Sequence, residues 1–201
     1  MKQVPRLETV TSLLVACAAG CVSPADPPRE PLPIPFVVSD YYSPDGYYGD
    51  GEKPGFLTLI KTCPQRAPGG QGDCYTLTYR PGILGYAGIF WQHPHNNWGF
   101  GAGHAVSPGA TRITFQARGE KGGEVLTVGA GQMDTTPHHD SFKLEERTVG
   151  LTTSWAAQEV LFREANYQGS DGVLGAFLVS LKAPADDSTT VYYLDDIQWA
   201  K

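Results

Sequence analysis

The clearest pattern in the chain is in "TRITFQAR" (111–118). Ile113, Phe115 and Ala117 fall on one side and Thr114, Gln116 and Arg118 on the other. That period of two predicts a half-buried strand. Eight more short runs have strand character: "FVVSD" (36–40), "FLTLIK" (56–61), "YTLTYR" (75–80), "YAGIFWQ" (86–92), "EVLTVGA" (124–130), "QEVLFRE" (158–164), "VLGAFLVSL" (173–181) and "TVYYLDDIQW" (190–199). No segment keeps a helical period, and no internal repeat occurs. Nine short strands at regular spacing, separated by Gly- and Pro-rich turns, predict an all-β sandwich or barrel.

The composition agrees. Hydrophobic residues make up 41% and charged residues only 18%, with 24 Gly and 16 Pro, which favours strands and turns over helices. A net charge of −6 argues against a nucleic-acid partner, because a phosphate backbone wants a basic face. No apolar run approaches the roughly 18 residues that span a bilayer. Lys2 and Arg6 precede the short apolar run "VTSLLVACAAG" (10–20), which has the length of a signal peptide. "LVAC" ends at Cys17 and "AAGC" at Cys21, and both resemble the lipobox of bacterial lipoproteins. "LVAC" is the better match, while cleavage at Cys21 would leave an even cysteine count. The expectation is an exported protein of the bacterial cell envelope, touching the membrane through a lipid anchor only. Residues 1–20 would be the signal segment and lipobox, residues 21–35 a Pro-rich tether, and residues 36–201 the folded domain.

Cys63 and Cys74 enclose "PQRAPGGQGD", a loop between two strand-like flanks. In an exported chain such a pair forms a disulfide. A metal pair fits less well, because no second cysteine pair completes a tetrahedral site. "SDYYSPDGYYGDGE" (39–52) places Asp40, Asp45 and Asp50 in a Gly- and Tyr-rich loop. Calcium takes six to eight oxygens, many from bent loops, so these acids are candidate ligands; the alternative is solvated loop charge.

The densest stretch is "YAGIFWQHPHNNWGFGAGH" (86–104). Sugars offer C–H faces that stack on Trp and hydroxyls that pair with amides. Trp91, Gln92, Asn96, Asn97 and Trp98 supply both kinds of contact. The competing reading makes Trp91 and Phe90 core residues and lets the asparagines satisfy turn backbone. Neighbours on a strand face opposite ways, so Phe90 and Trp91 cannot both enter the same core. His93, His95, His104, His138 and His139 read as surface or hydrogen-bonding residues rather than as a zinc set.

Five blocks occur in the order found in one known family: "YAGIFWQHPHNNWG", "GATRITFQARGEKGGE", "DSF", "LTTSW" and "VYYLDDIQW". From about residue 36 to the C-terminus the chain resembles galactose-binding-like β-jelly-roll domains. These are similar to the non-catalytic carbohydrate-binding modules attached to glycoside hydrolases, and they also occur in bacterial lipoproteins. The resemblance implies an antiparallel two-sheet sandwich, often with structural calcium, and a sugar site on the concave sheet or rim. First and last strands often lie side by side in jelly rolls, which would bring Asp195 or Asp196 to the calcium loop. No glycosidase carboxylate pair is apparent by motif, and no G-x-S-x-G elbow occurs. The chain therefore reads as a non-catalytic glycan-binding module, the alternative being a structural or protein-interaction domain of the envelope.

Overall fold

The computed structural model describes residues 30–162 and 166–201. The expected signal segment, Cys17, Cys21 and the start of the tether lie outside the described residues. Within them, the strands are β1 (Phe36–Val37), β2 (Ser43–Gly49), β3 (Leu57–Ile60), β4 (Tyr75–Tyr79), β5 (Tyr86–Gln92), β6 (Arg112–Gly119), β7 (Val125–Gly129), β8 (Arg147–Gly150), β9 (Ala156–Leu161), β10 (Gly175–Lys182) and β11 (Thr190–Ala200). They form two antiparallel sheets packed as a sandwich. The first runs β3-β4-β11-β6-β9, with β1 beside the end of β11, and the second runs β2-β5-β10-β7-β8.

Each of the nine expected runs contains a strand. Two strands were not foreseen. β2 carries Pro44, Asp45 and two glycines, which hide its strand character, but it is an edge strand and tolerates proline. β8 is only four residues long.

Alternation decides which residues fill the space between the sheets. Trp91 and Phe177 enter from the second sheet, and Tyr75, Phe115 and Trp199 from the first. The Trp91 ring meets Tyr75 and Phe177 edge-on, each at 5.1 Å between centroids, an arrangement aromatic quadrupoles favour. The core also takes in Leu32 and Ile34, which the sequence reading had placed in the tether. Leu32, Ile34, Phe36 and Val38 alternate inward, while Pro31, Pro33 and Pro35 face solvent. The ordered domain therefore begins before residue 36.

Two buried carboxylates organise the loops. Asp50, only 5% exposed, accepts hydrogen bonds from the Tyr79 hydroxyl (2.9 Å) and from the backbone N–H groups of Gly82 (2.9 Å), Leu84 (3.0 Å) and Gly85 (3.1 Å). Burial alone would raise its pKa, but these four donors favour the anion and hold it below the usual carboxylate value. Asp195 lies under the loop between β3 and β4. It pairs with the Arg66 guanidinium and accepts the Ala67 N–H at 3.0 Å. The same loop is closed by the expected Cys63–Cys74 disulfide. It crosses the outer face of the first sheet as far as Trp155, whose indole N–H donates to the Gln65 carbonyl at 3.2 Å.

Two outcomes follow from these anchors. Reduction and alkylation of Cys63 and Cys74 should cost about 3 kcal/mol in denaturant unfolding, the chain-entropy value for so short a loop; an unchanged midpoint would show that the loop is held by Asp195 alone. Asp50→Ala should destabilise by about 3 kcal/mol, because buried N–H groups lose their acceptor. A group whose pKa is depressed by folding stabilises above its unfolded pKa and loses that contribution as pH falls through the folded value. Asp50→Ala should accordingly flatten the acid limb of a stability-against-pH curve, and an identical acid limb in the variant would refute this role.

Candidate functional site

The stretch 86–104 divides sharply. Trp91 has no exposed surface and belongs to the core, so it cannot stack on a ligand. Phe90 faces the opposite way, as alternation requires, and packs under Trp98 at 5.9 Å and Tyr48 at 5.4 Å between ring centroids. Gln92 also faces outward but is covered by β2; a side chain at Gly46 would collide with its amide. Asn97 is buried and fully engaged. Its amide nitrogen donates to the His93 and Gly101 carbonyls, both at 2.8 Å, and its oxygen accepts from the Phe100 and Gly101 N–H groups. Asn96 is exposed in the left-handed region at φ 53°, a backbone shape that asparagine tolerates. The expected platform of Trp91, Gln92, Asn96, Asn97 and Trp98 is thus not assembled. Trp91, Gln92 and Asn97 hold the core and the turn, and of the two tryptophans only Trp98 lies on the outer side, against Phe90.

The five acids expected to hold calcium also have other duties. Asp40 is exposed at the end of a 3-10 turn (Val38–Asp40). Asp45 sits at the bulge of β2 and pairs with His95. Asp50 is the loop hub, Asp195 pairs with Arg66, and Asp196 accepts from the Gln71 N–H and the Gln198 amide. β1 does lie beside β11, as jelly rolls suggest. Yet Asp50 bonds Tyr79, which pairs with Thr190, whereas Asp195 is about 16 Å further along the same strand at roughly 3.3 Å per residue. Among the described residues, no group of three or more His, Cys, Asp or Glu side chains could hold a metal ion. The expected ligands Asp40, Asp45, Asp50, Asp195 and Asp196 are therefore not gathered into one cluster: Asp45, Asp50, Asp195 and Asp196 each have a separate partner, and Asp40 lies in an exposed turn. The histidines are ordinary partners; His138 and His139 both face Asp171, and the His138 contact at 3.2 Å leads the effects that lower its pKa.

The outer face of the second sheet carries what the stretch 86–104 does not. Register places Tyr48, Gly88, Ser180, Thr127 and Thr148 in one row across β2, β5, β10, β7 and β8. Four inter-strand steps of about 4.8 Å make this row about 19 Å long. Gly88 is needed there: a β-carbon would sit 2.0 Å from the Tyr48 ring, so the glycine lets the ring lie flat across β5. The Tyr48 hydroxyl donates to the Val179 carbonyl at 3.0 Å, which fixes the ring. The Thr127 and Thr148 hydroxyls lie 3.3 Å apart at the other end. Tyr86, 44% exposed, and Lys182 flank the row on one side; Phe90 and Leu178 flank it on the other. Trp98, Phe90, Met133, Leu174 and Leu178 form a small second core that shuts the far end of the face.

That end is held by Asp140, which accepts N–H bonds from Leu174 (2.7 Å), Met133 (3.3 Å) and Gly175 (3.3 Å). Burial outweighs these donors and lifts its pKa to about 7. The result is a shallow, rigid strip with an aromatic ring at one end and hydroxyls at the other. Its groups can make ring contacts and hydrogen bonds. Sequence reasoning missed Tyr48, Tyr86, Thr127, Thr148 and Ser180. A lone serine in the apolar run "AFLVSL" and the alternation of "VLTVG" were the available signals.

No family model and no curated relative matches the chain. Solved structures do. A family 30 carbohydrate-binding module aligns with a TM-score of 0.52 and 16% identity, over 82% of this chain and 97% of that one. The family 11 module from Clostridium thermocellum in complex with a β-1,3-1,4-mixed-linked tetrasaccharide gives 0.43 and 15%, over 79% and 97%. A family 61 module in complex with β-1,4-galactotriose gives 0.42 and 17%, over 80% and 91%. The chain therefore has the β-sandwich, jelly-roll fold of carbohydrate-binding modules.

Proposed function

We propose that the protein binds a glycan, without cleaving it, on the outer face of the second sheet. The observation that carries this reading is the row from Tyr48 through Ser180 and Thr127 to Thr148. An aromatic face suits the apolar side of a sugar ring, and neutral hydroxyls exchange hydrogen bonds with sugar hydroxyls without the desolvation cost of a charge. Tyr86 offers a second exposed ring beside the row. The sugars bound by the family 11 and family 61 modules belong to the same chemical class.

The chain is displayed on the bacterial envelope through Cys17 or Cys21, with the prolines before Leu32 as spacer. A second reading, a protein-interaction domain, draws on Ile83, which is 95% exposed, and Leu84, both presented by the loop that Asp50 holds.

A glycan array probed with the full chain should give binding to one polysaccharide class, with mixed-linked β-1,3-1,4-glucan and β-1,4-galactan among the probes. Tyr86→Ala should weaken that binding about ten-fold, a loss of about 1.4 kcal/mol. No signal on any glycan, together with an unchanged result for Tyr86→Ala, would favour the protein-interaction reading. For the anchor, changing Cys17 and Cys21 together to Ser should move the protein from the membrane fraction to the soluble one. Retention in the membrane fraction would disprove lipidation at these cysteines.

A further inference from the structure

The outer face of the first sheet, on the other side of the sandwich, holds a hollow of about 440 Å³. Its lining includes Thr114 and Gln116 of β6, Ala157 and Glu159 of β9, Asp196 of β11 and Arg147 of β8. A second hollow, of about 550 Å³, lies where the open edges of β8 and β9 meet. The two share Arg147 and Glu159, and the edge hollow also includes Thr148, the last residue of the hydroxyl row. Both volumes fall in the range of roughly 300–1,000 Å³ typical of ligand clefts. The row, the edge and the far hollow therefore form a continuous path around one side of the sandwich.

The far hollow is specifically built. β11 carries a bulge between Asp195 and Gln198, and Asp196 within it sits at φ 55°. A bulge re-aims a side chain, and a positive φ on a residue other than glycine needs support from its surroundings. Support is present. The Asp196 Oδ1 accepts from the Gln71 N–H at 3.0 Å and from the Gln198 amide at 2.6 Å. Gln71 in turn belongs to the loop fixed by the disulfide and by the Arg66–Asp195 pair. Arg147 reaches from the second sheet to the Glu159 carbonyl and so bridges the two edges.

The chemistry of the lining is that of polyol recognition. Two carboxylates accept from hydroxyls, the Gln116 amide both donates and accepts, the Arg147 guanidinium donates, and Ala157 gives a small apolar floor. The single cation against two acids makes an anionic ligand unfavourable. We infer that the glycan track does not end at Thr148 but turns over the β8–β9 edge into the hollow at Gln116 and Asp196, so that one flexible, neutral polysaccharide chain is gripped on both faces. This rests on the glycan reading of the second sheet. It makes the ligand a soluble chain longer than the row, because a chain locked in a flat crystalline surface could not turn the edge.

The test compares a polysaccharide with its own short fragment. Wild type, a Gln116→Ala/Asp196→Asn double variant and Tyr86→Ala would be titrated calorimetrically with mixed-linked β-1,3-1,4-glucan and its tetrasaccharide, and in parallel with β-1,4-galactan and galactotriose. Asparagine is chosen at 196 because it tolerates positive φ; thermal melting confirms folding. The double variant should lose about ten-fold affinity for the polysaccharide and keep its tetrasaccharide or trisaccharide affinity within two-fold. Tyr86→Ala should weaken both ligands. In nuclear magnetic resonance spectra, the Gln116 side-chain amide should shift with the long chain and stay put with the short one. Equal affinities of wild type and double variant for the polysaccharide, with no shift at Gln116, would confine binding to the second sheet and overturn the inference alone. Failure of wild type to bind these or any arrayed glycan would overturn both readings.

Discussion

The position of Trp91 sets much of what the surface can present. Its ring is fixed between the sheets against Tyr75 and Phe177, and no part of it reaches solvent. Because side chains alternate along a strand, that one inward placement sends Phe90, Gly88 and Tyr86 outward. β10 and β2 pair with β5, so the same choice propagates to Ser180 and Tyr48. A slip of one residue would exchange the two faces of β5 and place a tryptophan in the outer row beside Tyr48. Core packing and surface chemistry are in this sense one constraint.

The carboxylates show how buried charge is accommodated here by hydrogen bonds and an ion pair. Removing Asp50 from water is costly unless the charge is fully hydrogen-bonded, and four donors do that. Asp195 achieves the same end with the Arg66 guanidinium and the N–H groups of Ala67 and Asp196. In both cases some of the donors come from a loop that connects strands, Gly82, Leu84 and Gly85 for Asp50 and Arg66 and Ala67 for Asp195, so satisfying the charge also holds the loop. This explains why a Gly- and Pro-rich chain holds rigid surfaces. It also explains why an acid-rich loop resembles a calcium site in sequence: both uses need carboxylates next to flexible backbone, and only the three-dimensional donors differ.

The strand pattern was legible because burial imposes a period of two. β6 shows it openly, and all nine expected runs contain strands. β2 was not legible, since "SPDGYYG" spells a turn; it is a strand because Tyr48 and the register with β5 hold it, which is tertiary context overriding local preference. The run from Leu32 to Val38 kept its alternation through two prolines, yet the prolines masked it as a tether. The disulfide was readable from two cysteines that close a short loop between strand-like flanks. The site was readable only in part. Trp98 packs on Phe90 beside it, but a row formed by Ser180, Thr127 and Thr148 joins residues from three separated segments. No linear window contains it, and single hydroxyls in strands carry no signal of their own.

The edge between β8 and β9 unites these themes. Exposed edges invite pairing with another chain, and charged residues are the usual protection. β8 and β9 both end their sheets, and Arg147, Glu146 and Glu159 line their meeting point. The Arg147 bond to the Glu159 carbonyl occupies an acceptor that a foreign strand would otherwise use. The same polar groups that discourage strand addition are the ones a polyhydroxylated chain can engage. A sandwich that must protect its open edge thereby gains a hydrophilic saddle between its two faces. The groups that line the saddle offer scattered side-chain donors and acceptors rather than a free ladder of N–H and C=O groups, so the edge is closed to strand addition by the same residues that make it hydrophilic.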